Sequence, residues 1–156
     1  MDDIFGRMMS ILLVAALFFG VPYVAMLERM NGAAQMYLLA EETALVDSIC
    51  NTGFLNLEMY EQFLWDISKV PGRYEVELLQ ERKELVLEDD KVTYVSRYYD
   101  TEELVEAMRS GENYYFARND YIRICIMQKD AGIRIPGITD RTMQVFYGGT
   151  VKYEAF

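Results

Sequence analysis

Residues 8–27 read MMSILLVAALFFGVPYVAML, twenty consecutive positions without a formal charge, with Arg7 before them and Glu28 and Arg29 after. At about 1.5 Å per helical residue, such a run covers the roughly 30 Å hydrocarbon core of a bilayer, and its Leu, Ile, Val, Phe and Met content suits lipid. A single membrane-spanning helix is therefore the first expectation, and the residues beyond it read as material held at a membrane surface. A cleavable secretory signal competes for the same segment. However, the leader Met1-Asp2-Asp3-Ile4-Phe5-Gly6-Arg7 is acidic where a signal peptide is basic. The apolar run also exceeds the usual ~7–15 residues, and no A-x-A cleavage site comes directly after it. An uncleaved signal anchor in the cell membrane is the better reading. Arg7 with the terminal amine on one side and Arg29 on the other do not orient the span by charge. A short leader before a long tail fits a single-pass chain with its N-terminus inside and its C-terminal domain outside.

The tail, residues 28–156, is long enough for one domain with its own core. The chain carries a formal net charge of −10, of which Asp2, Asp3 and Arg7 account for −1, leaving −9 for the remainder. That acidity argues against nucleic acid as a partner, because phosphate binding needs clustered Lys and Arg. There is no histidine, which removes Ser-His and Cys-His pairs. Neither a G-x-S-x-G elbow nor a phosphate-cradling glycine loop is present. The expectation is a chain that is not an enzyme, with no catalytic residues, cofactor, metal or small-molecule substrate. Glu88, Asp89 and Asp90 lack the spacing of a calcium loop and read as a solvated hairpin turn. Cys50 and Cys125 could be joined outside the cytoplasm, but both lie on patterns where a small buried thiol is the commoner role.

Helical patterning continues past the span. From Arg29 to Asn51 there is no proline, and Ala34, Leu38, Leu45 and Ile49 fall on one stripe. One helix from about Ile4 to Cys50, on the order of 70 Å long, is expected, bent near Pro22 and ended by Gly53. A second helix starts at the cap Asn56, with Leu57, Tyr60, Leu64 and Ile67 inward and Phe63 and Val70 widening that face, and stops at Pro71-Gly72. The period then changes to two. Tyr74, Val76 and Leu78 alternate with charged residues, a further extended run covers 84–87, and 92–98 returns as a hairpin partner. A short helix over Thr101–Arg109, capped by Asp100 or Thr101 and ended before Gly111, precedes a strand in which Ile122, Ile124 and Ile126 share a face. A loop with Gly132, Pro136 and Gly137, an extended run over 142–147, the pair Gly148-Gly149 and a closing run over 150–154 complete the chain.

The fold class is α+β: a long N-terminal transmembrane helix continuing into an amphipathic helix, then a small extracytoplasmic antiparallel-sheet domain with one or two helices. Its expected divisions are 1–7 leader, 8–27 span, 28–53 helix continuation and 54–156 outer domain. Two surfaces are candidates for function. Ala33, Ala34, Leu38, Leu45 and Ile49 form a stripe suited to lateral packing against neighbouring helices, since small residues permit close approach. Tyr98, Tyr99, Tyr114, Tyr115 and Tyr121 crowd together in sequence, and stacked aromatics bind proteins or glycans at low entropy cost.

With the long helix and its glycine end in place, the chain resembles TadE-like, pilin-like (pseudopilin-like) proteins of Tad-type pilus and secretion machinery in Clostridia-like bacteria. The resemblance runs through Val46-Asp47-Ser48-Ile49-Cys50-Asn51-Thr52-Gly53, Leu57-Glu58-Met59-Tyr60-Glu61-Gln62-Phe63 and Pro71-Gly72-Arg73-Tyr74-Glu75-Val76-Glu77. It continues in Asn119-Asp120-Tyr121-Ile122-Arg123-Ile124 and Phe146-Tyr147-Gly148-Gly149-Thr150-Val151. It implies a structural subunit whose partners are membrane lipid, other single-span pilin-like subunits and polytopic secretion components, with no catalytic residue to transfer. One departure concerns processing. Pilin precursors usually carry glutamate at the fifth position after the cut, whereas a cut after Gly6 would place Ile11 there. The membrane-tethered alternative is an outer domain that binds a protein or glycan through its tyrosines.

Overall fold

The computed structural model describes residues 2–88, 91–110, 113–129 and 143–153. The apolar run and the stripe beyond it form one helix, α1 (Asp2–Thr52), which passes through Pro22 without interruption. Its C-terminus is set by Gly53, whose φ of 76° lies in the left-handed region that favours glycine and whose N–H donates to the Ile49 carbonyl at 2.8 Å. The chain divides into two compact units, Met1–Met36 and Tyr37–Phe156.

In the first unit the large apolar side chains are exposed among the described residues. Ile4, Phe5, Leu12, Leu17, Phe18, Phe19 and Met26 are all more than half exposed. This one helix is long and apolar enough to cross a membrane.

The second unit is α+β. Residues 37–52 of α1 lead through β1 (Phe54–Leu55) to α2 (Leu57–Ser68), where the Asn56 side chain accepts from the Met59 N–H at 2.8 Å as N-cap. The inward face of α2 is Tyr60, Phe63 and Ile67 with Val70 beyond its end, while Leu64 lies on the exposed side with Trp65. β2 (Tyr74–Glu88) and β3 (Lys91–Tyr99) make the hairpin, and α3 (Thr101–Arg109) comes next with Asp100 as cap, accepting from the Glu103 N–H at 3.0 Å. β4 (Tyr114–Tyr115) pairs with β1, a two-residue ladder that carries no periodicity for sequence to reveal. β5 (Tyr121–Gln128) and β6 (Gln144–Thr150) complete an antiparallel sheet of order β3-β2-β5-β6.

Register decides which residues share a face. Leu78 stands opposite Ile124 and Ile124 opposite Tyr147; Gln80 is opposite Ile122 and Ile122 opposite Gly149. This face carries Leu78, Ile122, Ile124, Ile126 and Val145, all buried. α1 meets this face at Val46 and Cys50, which lie beside Gly149, and Leu38, Leu45 and Ile49 of the same helix are buried as well. Each large side chain so covered contributes about 1.5–3 kcal/mol.

Two expectations about strands change. The runs at 74–78 and 84–87 are a single strand: the charged interval Leu79-Gln80-Glu81-Arg82-Lys83 reads as a break, yet Gln80 and Arg82 turn inward to polar partners and the ladder to β3 starts there. The Gly148-Gly149 pair, which separates the expected extended runs 142–147 and 150–154, is likewise inside one strand, β6. A Cβ on Gly149 would sit 2.7 Å from the Cys50 sulfur and 3.2 Å from Val46 Cγ1, and one on Gly148 would collide with the Tyr121 ring. The glycines admit α1 on one face and an aromatic ring on the other. Asp89, Asp90, Gly111, Gly132, Pro136, Gly137, Thr142 and Glu154 lie outside the described residues.

Candidate functional site

The lateral stripe separates into two kinds of residue. Leu38, Leu45 and Ile49 are committed to the core of the chain's own second unit, at 0%, 7% and 0% exposure. They offer no face to a neighbouring helix, because β6 comes close enough to the same side of α1 to exclude a Cβ at Gly149. Ala33 is exposed and Ala34 partly so; both belong to the uncovered first unit.

The five tyrosines do not form one surface. Tyr98 and Tyr121 share the sheet face away from α1, in the row Tyr98, Glu81, Tyr121, Thr150, about 10 Å apart at two strand spacings. Tyr98 is 60% exposed, and Phe146 on the same face 67%. Tyr99 points to the opposite face, where the guanidinium carbons of Arg82 and Arg97 lie 5.7 and 5.1 Å from its ring centroid. Tyr114 turns inward, edge-on to Phe116 with centroids 5.0 Å apart, and its hydroxyl donates to Gln80 Oε1 at 2.6 Å. Tyr115 packs beside Phe54 on the small ladder. Alternation in a strand separates adjacent tyrosines, so proximity in sequence does not make a patch.

Beneath the tyrosines lies a buried polar cluster. Asp120, 2% exposed, accepts from Gln80 Nε2 at 2.6 Å, from Arg82 Nη2 at 2.8 Å and Nε at 3.0 Å, and from the Ala117 N–H at 2.9 Å. The carboxylate beside it holds Arg82 protonated, above its ordinary range, and burial raises the Tyr114 hydroxyl. The Ala117–Asp120 turn closes with the Asp120 N–H on the Ala117 carbonyl at 3.0 Å and Asn119 at φ 71°. This cluster locks the charged middle of β2 to the entry of β5.

Cys50 and Cys125 are free thiols. Cys50 faces Gly149 on the core side, whereas Cys125 pairs with Phe146 on the opposite face, so the sheet separates them.

No protein family, curated protein or solved structure matches this chain.

Glu42 is the residue that sequence reasoning passes over. It completes the Leu38, Leu45, Ile49 stripe at helical spacing and is fully buried. Oε1 accepts from the Tyr147 N–H at 2.9 Å, and Oε2 has no hydrogen-bond partner among the described residues. Burial pushes its carboxyl up to about 7, against a smaller opposing effect of the Tyr147 hydrogen bond. An acidic residue on an otherwise apolar stripe was the available signal.

A concavity of about 430 Å³ lies where β3 gives way to α3. It is bordered by residues 75–79 of β2, by Asp100, Thr101 and Glu102, and by Arg123 and Cys125 of β5.

Proposed function

We propose that this chain is a membrane-anchored, non-enzymatic structural subunit of a pilin-like or pseudopilin-like assembly of the Tad type. In this reading the first unit of α1 lies in the cell membrane, the N-terminus is inside, and the α+β unit stands outside. Other single-span subunits and polytopic secretion components are its partners. The observation that carries the reading is the contrast between a second unit with a buried core of its own and a first unit whose large apolar side chains are exposed among the described residues. Lipid and neighbouring spans are the two environments that cover such a helix, and close lateral packing falls to positions such as Ala33 and Ala34. Leu38, Leu45 and Ile49 play no part in it.

Photocrosslinking from Ala33 or Ala34 in native membranes, with mass spectrometry of the adducts, tests this. Adducts with other single-span chains are expected. Adducts with lipid alone would make α1 a tether. That outcome would favour the second reading, a tethered binding module acting through Tyr98, Tyr121 and Phe146, which the open sheet face supports.

A further inference from the structure

β2 is paired on both sides for only part of its length. It meets β5 from Tyr74 onward, but its ladder with β3 begins at Gln80, opposite Tyr99. Along an antiparallel strand, alternate residues send both main-chain groups to the same side. The Lys129 N–H donates to the Arg73 carbonyl at 2.8 Å, so odd-numbered residues of β2 address β5. Leu78 addresses the other edge: its N–H donates to Thr101 Oγ1 at 2.8 Å, and that hydroxyl donates to its carbonyl at 3.3 Å. Thr101 thus caps the edge at Leu78. Tyr74 and Val76 point their main-chain groups to the same side, and among the described residues nothing pairs with them there.

Chemistry at this edge is one-sided. Glu75, Glu77, Asp100 and Glu102 border the concavity beside it, with Arg123 as the cation in the lining and Lys129 paired to Glu75. Self-pairing is disfavoured by the register itself. Two copies joined antiparallel about Val76 would set Glu75 directly opposite Glu77, twice over, and like charges directly opposite destabilise a sheet. A strand with Lys or Arg at those positions meets the opposite situation, while its intervening residues lie beside Tyr74 and Val76 on the apolar face.

We infer that the open edge at Tyr74–Val76 is a strand-addition site for an extended segment of a partner protein in which basic and apolar side chains alternate. Main-chain bonds to Tyr74 and Val76 supply the pairing, and the carboxylates select the charge. Thr101 limits the added strand to a few residues.

The test uses the full chain in detergent micelles and two capped peptides, Lys-Val-Lys-Val-Lys and Glu-Val-Glu-Val-Glu, at physiological salt. The lysine peptide is expected to slow amide exchange at Val76 by about threefold or more, as pairing of an open edge does. Glu75→Lys with Glu77→Lys should weaken that peptide by about tenfold and reverse the preference. Val76→Pro, which removes one outward N–H while leaving the β5 ladder intact, should abolish the protection that the lysine peptide gives the other outward amide, at Tyr74. Binding without protection at Val76, or equal protection by both peptides, would overturn the inference. So would protection that rises with protein concentration in the absence of peptide, which would identify a second copy as the occupant.

Discussion

The two parts of α1 share one backbone and nearly the same taste for apolar residues, yet they meet opposite fates. Between Ile4 and Met36, Leu12, Leu17, Phe18 and Phe19 are exposed; beyond Tyr37, Leu38, Val46 and Ile49 are inaccessible. The difference is one of arrangement. Residues 8–27 are apolar on every side, which suits a uniform solvent of hydrocarbon. From residue 38 the buried positions 38, 42, 45 and 49 recur at spacings of three and four, with Glu41, Thr43, Ala44 and Asp47 between them, so there is one face to bury and one to leave wet. An all-round apolar helix suits surroundings that are apolar on every side, whereas a striped one needs a single surface to pack on.

The largest effect that can break this comparison is loss of the stripe. Leu38→Ala and Ile49→Ala should each cost the second unit about 2–5 kcal/mol, while Leu17→Ala should change it by less than about 0.5 kcal/mol. Urea unfolding in mild detergent measures both. Glutamate at Leu38 and Leu45 together should leave the unit unfolded, because these side chains sit in its core; a folded double variant that had merely left its partners would restore the lateral-packing role.

Glu42 provides the next effect, specific to pH. Its carboxyl titrates at about 7 in the folded chain, above the ordinary 4.5. The folded state therefore holds the proton more tightly than the unfolded state. Below about 4.5 both states are protonated and nothing is lost; stability then falls as pH rises to about 7, by roughly 3 kcal/mol in total, and stays flat above. Glu42→Gln should remove this slope and be the more stable protein at pH 8. Parallel pH profiles for the two proteins would show that Glu42 is not buried as a neutral acid.

Much of this fold could be read from residues alone where one physical rule acts. The caps Asn56, Asp100 and Gly53, the helix Thr101–Arg109 and the inward isoleucines of β5 all come from local geometry or a period of two. What escaped depends on contacts distant in sequence. Gln80 and Arg82 look like a strand break until Asp120 arrives to pair with them. Gly148 and Gly149 look like a gap between two extended runs until Tyr121 and Cys50 occupy the space beside them. The candidate sites were less legible for the same reason: a stripe of helical period marks burial but does not name what covers it, and neighbouring tyrosines alternate faces.

Glycine sharpens the comparison at the smallest scale. Gly149→Ala would push a methyl to within 2.7 Å of the Cys50 sulfur and should cost about 1–3 kcal/mol through displacement of α1 from β6. Gly20 and Gly32, within α1, have nothing beyond the adjacent helix backbone within 4 Å of the position a Cβ would take. Inside the isolated chain, alanine at either position should stabilise the helix by about 0.5–1 kcal/mol, since glycine loses more backbone freedom on ordering. Amide exchange along α1 in detergent would register that gain as slower opening near the substitution. In native membranes the same two variants report on what the chain alone lacks: if a neighbouring helix passes closely at Gly20 or Gly32, the added methyl reduces crosslinking to that neighbour even as the helix itself becomes more stable. Unchanged crosslinking would leave lipid as the cover at both glycines.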